Sequence, residues 1–276
     1  MKRILTAVVA LPILLFTVWS SSPYYFVILA TIAVLLALCE FYSLAAKARC
    51  KPQIVTGFAG ALVVIASFVF EFPFLTVGAL IAVTIVTLIG AVFRPAELKE
   101  SLISVSATVF GVIYVGVLAS CLVGVRMLSD SRFTTPASHV ASKGLTMFFA
   151  IVMLTDTGAY YTGRTIGRHK LAPRVSPGKT VEGAIGGFVM SAVAGYLSKI
   201  TFFPEIPTAH CLVLGVIIGC LGQIGDLAES LLKRGSDVKD SGRLLPGHGG
   251  MLDRIDSILF TAPVLYFYFQ LFFASQ

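Results

Sequence analysis

Polar residues are sparse along this chain, and they gather in clumps that separate long apolar runs. Nine runs stand out: Ile4–Ser20, Pro23–Leu44, Val55–Phe70, Phe74–Phe93, Leu102–Leu128, Leu145–Gly163, Val181–Ile200, Cys211–Leu232 and Ile258–Phe273. A bilayer core of ~30 Å needs ~20 helical residues. In most of the runs apolar residues cover every side, which predicts buried or lipid-facing helices rather than strands. The expected fold class is all-α: a polytopic integral membrane protein of about nine transmembrane helices.

Orientation follows from the basic residues. With the N-terminus in the cytoplasm, 17 of the 21 Lys and Arg residues fall on the inner side. Only Arg126, Arg132, Lys143 and Lys199 fall outside. Positive charge is retained on the cytoplasmic side of membrane proteins, so this split predicts nine spans with the N-terminus in and the C-terminus out. Met1-Lys2-Arg3 and the apolar run after it could also be read as a signal peptide. The run is longer than a usual ~7–15 residue h-region, and no A-x-A site follows.

Composition agrees. Of 276 residues, 57% are hydrophobic and 13% charged, about half the ~25% charge of a soluble domain. Mean hydropathy is +0.90. No soluble domain of this length could hide so much apolar surface, which excludes an ordinary soluble enzyme, a disordered protein and a nucleic-acid-binding domain. The net charge of +7 reports topology and affinity for anionic lipid, not nucleic acid. The five cysteines, Cys39, Cys50, Cys121, Cys211 and Cys220, show no metal-binding spacing and read as packing residues.

The charges are uneven. Arg164–Glu182 holds six, and Asp226–Asp256 holds eleven. Residues 1–143 therefore read as a transmembrane scaffold of about five helices. Residues 144–276 read as the catalytic region, with cytoplasmic loops at 164–182 and 233–257. These loops are expected to be short and irregular.

Four constellations carry chemistry. Asp156 sits in the otherwise apolar stretch Ala150–Tyr161. An acid there faces a polar cavity or pairs with an Arg. Asp226, Glu229, Ser230 and Lys233 fall at i, i+3, i+4 and i+7, one helix face. Carboxylates at that depth want a cation. Mg²⁺, a hard ion held by one or two carboxylates plus substrate phosphates, fits them, as does an internal ion pair with Lys233 or Arg234. The third is Asp253-Arg254-Ile255-Asp256, which follows the Gly-rich turn Pro246-Gly247-His248-Gly249-Gly250. Glycines let backbone approach an anion, and His248 could contact a phosphate. Acids and bases together suit a metal–nucleotide site, since phosphoryl transfer needs both. The fourth, Ser176-Pro177-Gly178-Lys179-Thr180, resembles the end of a P-loop. A P-loop needs Gly where Pro173 stands, and no strand is expected before it. What remains is a cationic loop of Lys170, Arg174 and Lys179 that runs into a helix N-terminus able to hold phosphate.

Two stretches together resemble a known family. Ser230-Leu-Leu-Lys233-Arg234, then Lys239-Asp240-Ser-Gly242, then Leu245-Pro246-Gly-His248-Gly249-Gly250-Met-Leu-Asp253-Arg254-Ile-Asp256, is similar to the signature of the phosphatidate cytidylyltransferases, or CDP-diacylglycerol synthases. Asp156-Thr-Gly-Ala-Tyr160, Gly163-Arg164, Gly167-Arg168 and Ser176-Pro177-Gly-Lys179-Thr180-Val-Glu182-Gly183 also resemble that family. The one departure is Thr155, where an aromatic is usual. The resemblance spans roughly residues 145–262.

The resemblance implies condensation of CTP with phosphatidate, with Mg²⁺, to give CDP-diacylglycerol and pyrophosphate. It places metal-binding acids at Asp226 and Asp253, and further catalytic positions at Lys233, Arg234, Lys239, Asp240 and Asp256. Ser176, Arg174, Lys179, Asp156, His248, Gly249, Gly250 and Arg254 are the expected substrate-binding residues. One or two divalent cations are expected, with a monovalent cation as a further candidate occupant. The resemblance also implies a homodimer and a multi-pass protein of the inner or plasma membrane with its site on the cytoplasmic side. Two rivals stay open: a CTP-dependent polyprenol or phytol-type kinase, which would release CDP, and an ion or solute transporter using Asp156 and Asp226. Against the transporter, the charge gathers at one membrane face instead of crossing the midplane.

Overall fold

The computed structural model describes residues 2–93, 98–128, 139–242 and 249–273. Every predicted apolar run lies on a helix. The order is α1 (Lys2–Trp19), α2 (Tyr24–Lys47), α3 (Ile54–Val69), α4 (Pro73–Val92), then α5 (Leu98–Gly111), a π-helical stretch (Val112–Val117) and α6 (Leu118–Met127) as consecutive segments. After these come α7 (Val140–Ile166), strands β1 (Lys170–Ala172) and β2 (Ser176–Thr180), α8 (Val181–Thr201), α9 (Thr208–Gly235) and α10 (Leu252–Phe272).

Among the described residues seven helices are long and apolar enough to cross a bilayer: α2, α4, Glu100–Met127, α7, α8, α9 and α10. Two further apolar helices, Val8–Trp19 and Ile54–Val69, are shorter than that. The protein is thus an all-α, multi-pass membrane protein. Its outer surface fits this: Val55, Phe74 and Phe93 are 82%, 80% and 81% exposed. Apolar surface on that scale is unsuited to water and suited to lipid.

One expectation needs correction. Residues 170–180 are not irregular: β1 and β2 form an antiparallel hairpin with Lys170 opposite Thr180 and Ala172 opposite Ser176. The Gly-Lys-Thr run lies in β2, so it leads into α8 as a strand and not as a phosphate-wrapping loop. Local propensity does not explain a strand of Ser, Pro, Gly, Lys and Thr. Ties from outside the hairpin do. The Glu182 carboxylate accepts from the backbone N–H of Arg168 (3.0 Å) and His169 (3.2 Å) and meets His169 Nδ1 at 2.6 Å. Val181 N–H donates to His169 O, which closes the open end.

The chain divides into two compact units. One comprises Met1–Thr17, Ser22–Gly124 and Leu232–Ile255. Its core gathers Val64, Ala79, Val83 and Val112, with Phe68, Leu80, Val109 and Val117 packed against them. Two polar side chains inside it find backbone or side-chain partners, as hydrocarbon surroundings favour. Buried Tyr42 donates to Thr108 O at 2.9 Å, and Gln53 donates to Thr87 O and Thr108 Oγ1.

The other unit comprises Val18–Ser21, Val125–Leu231 and Asp256–Gln276. Its helices approach closely through small residues, the usual means of packing where lipid offers no hydrophobic drive. A Cβ on Gly215 of α9 would lie 2.6 Å from Ser191 O of α8. One on Gly158 of α7 would lie 3.0 Å from Gly186 O. Thr180 caps α8 by accepting from Gly183 N–H. Helix α9 has 28 residues, about 42 Å of helix, which is longer than the hydrocarbon core. Its apolar stretch precedes Asp226, so the acids lie toward its end.

Candidate active site

Each unit holds a carboxylate paired with a lysine. In the unit built from α7, α8 and most of α9, the hairpin reaches across to α9. Lys179 Nζ lies 2.7 Å from Asp226 Oδ2, both side chains being about a quarter to a third exposed. Ser230 Oγ approaches Asp226 Oδ1 at 3.5 Å, the outer limit of a hydrogen bond. Asp226 and Lys179 line a cavity of about 360 Å³ together with Asp156, Tyr160, Arg164 and Gln223. That is the scale of a small-ligand site. Asp156 thus lines the same cavity as Asp226. Arg164 also lines it and donates to Tyr160 OH at 3.0 Å.

Directly beside this cavity runs an apolar groove of about 370 Å³, lined by Val181, Ile185, Phe188, Ile224 and Leu227. Leu171, Ala184 and Gln223 belong to both. A polar chamber and an apolar groove thus share a wall.

In the other unit the pair is Lys233 and Asp253. Lys233 Nζ donates to Asp253 Oδ1 at 2.6 Å, with side-chain exposures of only 12% and 8%. Asp253 Oδ2 accepts from Gly250 N–H at 2.8 Å and from Ser241 N–H at 3.1 Å. The reach back from Asp253 to Gly250, three residues earlier, is that of the acid in a capping box. Gly249 has φ +82°, and a Cβ there would approach Asp253 Oδ2 at 2.7 Å. A glycine is required on both counts.

The remaining predicted residues are placed as follows. Ser176 pairs in β2, and Arg174 is exposed in the turn between the strands. Arg234 is exposed and donates to Val238 O at 3.2 Å. Lys239, Asp240 and Arg254 are exposed. Asp256 is 9% exposed, and its Oδ1 accepts from Ser257 N–H at 2.6 Å. His248 lies outside the described residues. Glu229, on the same face as Asp226 by spacing, is fully buried.

Two acids gain roles that spacing did not assign. Glu182 clamps the hairpin, as described. Glu40 is the single acid of α2, and it meets the segment that holds Asp253. The signal for Glu40 was present: an acid inside an apolar span, the feature that singled out Asp156.

The donor chemistry fits a hard divalent cation. Asp226 presents oxygen ligands to a roomy polar cavity that already holds a second carboxylate. Among the described residues no three His, Cys, Asp or Glu side chains gather into a cage. Mg²⁺ needs no such cage, since it is commonly held by one or two carboxylates plus substrate phosphates. Asp253 is held more tightly: its oxygens take Lys233 and two backbone N–H groups, whereas Asp226 meets Lys179 and one long hydroxyl contact.

Comparison with known proteins is consistent with these features. A phosphatidate cytidylyltransferase of Bacillus subtilis (strain 168) is 49% identical over 132 residues, 47% of this chain and 49% of that protein. Relatives of the same name from Staphylococcus saprophyticus and Staphylococcus aureus (strain COL) are each 50% identical, over 117 and 119 residues. Each of these two alignments covers 42% of this chain and 45% of the relative. The chain thus aligns with about half the length of the curated relatives it matches. The model of the cytidylyltransferase family, in contrast, matches residues 1–272, nearly the whole sequence. The chain belongs to the cytidylyltransferase family.

Proposed function

We propose that this protein is a phosphatidate cytidylyltransferase, joining CTP to phosphatidate to form CDP-diacylglycerol and pyrophosphate. The observation that carries the proposal is the polar cavity of Asp156, Arg164, Lys179 and Asp226 sharing a wall with an apolar groove. A substrate with a phosphate at one end and acyl chains at the other suits that pairing. The names of the curated relatives support the same reading.

The reaction is an in-line displacement. A phosphatidate phosphate oxygen forms a bond to the α-phosphorus of CTP as the bond to the bridging oxygen breaks, and pyrophosphate leaves with that electron pair. The nucleophile is already ionised at neutral pH, so no strong general base is needed. The protein contributes positioning and charge neutralisation. When bound, a divalent cation would neutralise charge that builds on the phosphates.

Each of the two carboxylates proposed to hold a cation, Asp226 and Asp253, is paired with a lysine proposed to bind phosphate, Lys179 and Lys233. In the absence of nucleotide each lysine is the counter-charge of its acid. With substrate present each lysine turns to a phosphate and frees a carboxylate oxygen. For Asp253 that release is required, because its oxygens are otherwise taken. Arg234 and Lys239 add positive charge for the nucleotide. The active site lies on the cytoplasmic side of the cell membrane, where CTP is available, and the protein acts as a homodimer.

The test is a product assay on purified protein with phosphatidate, radiolabelled CTP and Mg²⁺, with and without EDTA. Label in the lipid phase with stoichiometric pyrophosphate, abolished by EDTA, is the expected result. Label remaining in water with folded protein overturns the reading, and release of CDP in place of pyrophosphate would identify a lipid kinase. Near-normal turnover in Asp253→Asn would remove Asp253 from the metal.

A further inference from the structure

We infer that Glu40, on α2, is a positioning residue for the reaction: it sets the segment that orients Asp253, without touching substrate. This rests on the proposed role of Asp253 in the reaction.

Glu40 is 9% exposed in a helix whose other residues are mostly apolar. A carboxyl group in such surroundings is costly unless hydrogen-bonded. Its partners all come from a segment about two hundred residues away. Oε2 accepts from Ser241 Oγ at 3.0 Å and from Leu252 N–H at 2.8 Å. Oε1 accepts from Met251 N–H at 3.0 Å. Leu252 opens α10, so Glu40 provides from a distant helix the cap that a local side chain normally supplies.

Ser241 joins the two acids. Its hydroxyl donates to Glu40 while its backbone N–H donates to Asp253. The run Glu40, Ser241, Asp253, Lys233 is a continuous hydrogen-bonded chain. The glycines of the segment are cut to the same shape. A Cβ on Gly250 would collide with Ser241 Oγ and Glu40 Oε2, and one on Gly242 with Glu40 Oε1. Two carboxylates therefore grip one short segment, and only Asp253 belongs to it. Glu40 fixes where Asp253 stands, so Lys233 and the Asp253 oxygens are held ready before substrate arrives.

The experiment uses the full-length protein in detergent. Glu40→Gln keeps the shape but turns one acceptor into a donor that faces N–H or O–H groups. Turnover per folded enzyme, measured well below the melting temperature, is expected to fall about 10–100-fold, the usual effect of losing a partner behind a reacting group. Apparent KM for CTP and phosphatidate should change little. Hydrogen–deuterium exchange at the Met251 and Leu252 amides should quicken. Ser241→Ala should lower turnover in the same direction, and its effect should not add to that of Glu40→Gln, since both cut one chain. If Glu40→Gln does not fold, Ser241→Ala alone carries the same two readouts. A variant that only loses melting temperature, with turnover of the folded fraction intact, overturns the inference. So does unchanged exchange at Met251 and Leu252. Full turnover in Asp253→Asn would instead overturn the reading of Asp253, while the exchange data would still judge the grip of Glu40.

Discussion

Replacing Lys233 with Met tests the buried pair directly. At 2.6 Å and nearly out of solvent, Lys233 and Asp253 attract by about 6 kcal/mol at an effective dielectric of ~20. Desolvating the two ions costs several kcal/mol each, so the intact pair contributes little net stability. Breaking it is different. Lys233→Met removes this cation while Asp253 stays at 8% side-chain exposure beside its backbone N–H donors, a loss that costs about 3–5 kcal/mol. For a chain of this size that is a fall in melting temperature of roughly 10 °C. The assay is thermal melting in detergent with a thiol-reactive dye, which reads buried Cys121 and Cys211 as the core opens, above the starting signal of exposed Cys39 and Cys220. Adding Asp253→Asn to Lys233→Met removes the partner charge as well while keeping an acceptor for Ser241 and Gly250. About 2 kcal/mol should return as coupling between the neighbours. If Lys233→Met melts within roughly 2 °C of the parent protein, or if the two changes simply add, Lys233 is not the counter-charge of Asp253.

Asp226→Asn should separate stability from catalysis. Its bond to Lys179 is partly exposed, so melting should shift by no more than about 1 kcal/mol equivalent, while turnover falls by orders of magnitude. Unchanged turnover would strike Asp226 from the site. Gly215→Ala should destabilise by about 1–3 kcal/mol through overpacking, because its Cβ meets backbone of α8 at 2.6 Å and backbone yields less than a side chain. A melting temperature equal to that of the parent would show that α8 and α9 are less closely packed.

Much of this protein is legible in the chain itself. Apolar periodicity and length report a property of each segment alone, so all nine runs lie on helices and the membrane class follows from composition. Asp156, Asp226 and Lys179 could be named as polar residues in costly places, and the resemblance to the cytidylyltransferases rested on residues 145–262, within the 1–272 that the family model matches. What no local pattern contained was the choice of partners. Apart from Thr180, little in Ser176–Thr180 favours a strand, yet Glu182 and the contact of Lys179 with Asp226 draw that segment into a hairpin. Spacing along α9 suggested that Lys233 could pair with acids on its own helix, whereas it pairs with Asp253 of α10. Glu40 carried the same signal as Asp156, an acid among apolar residues, but its meaning depends on Ser241, Met251 and Leu252. An apolar run declares its environment by itself, because burial is a property of the segment. A buried charge declares only that it needs partners, and those are decided when the fold brings distant chain together.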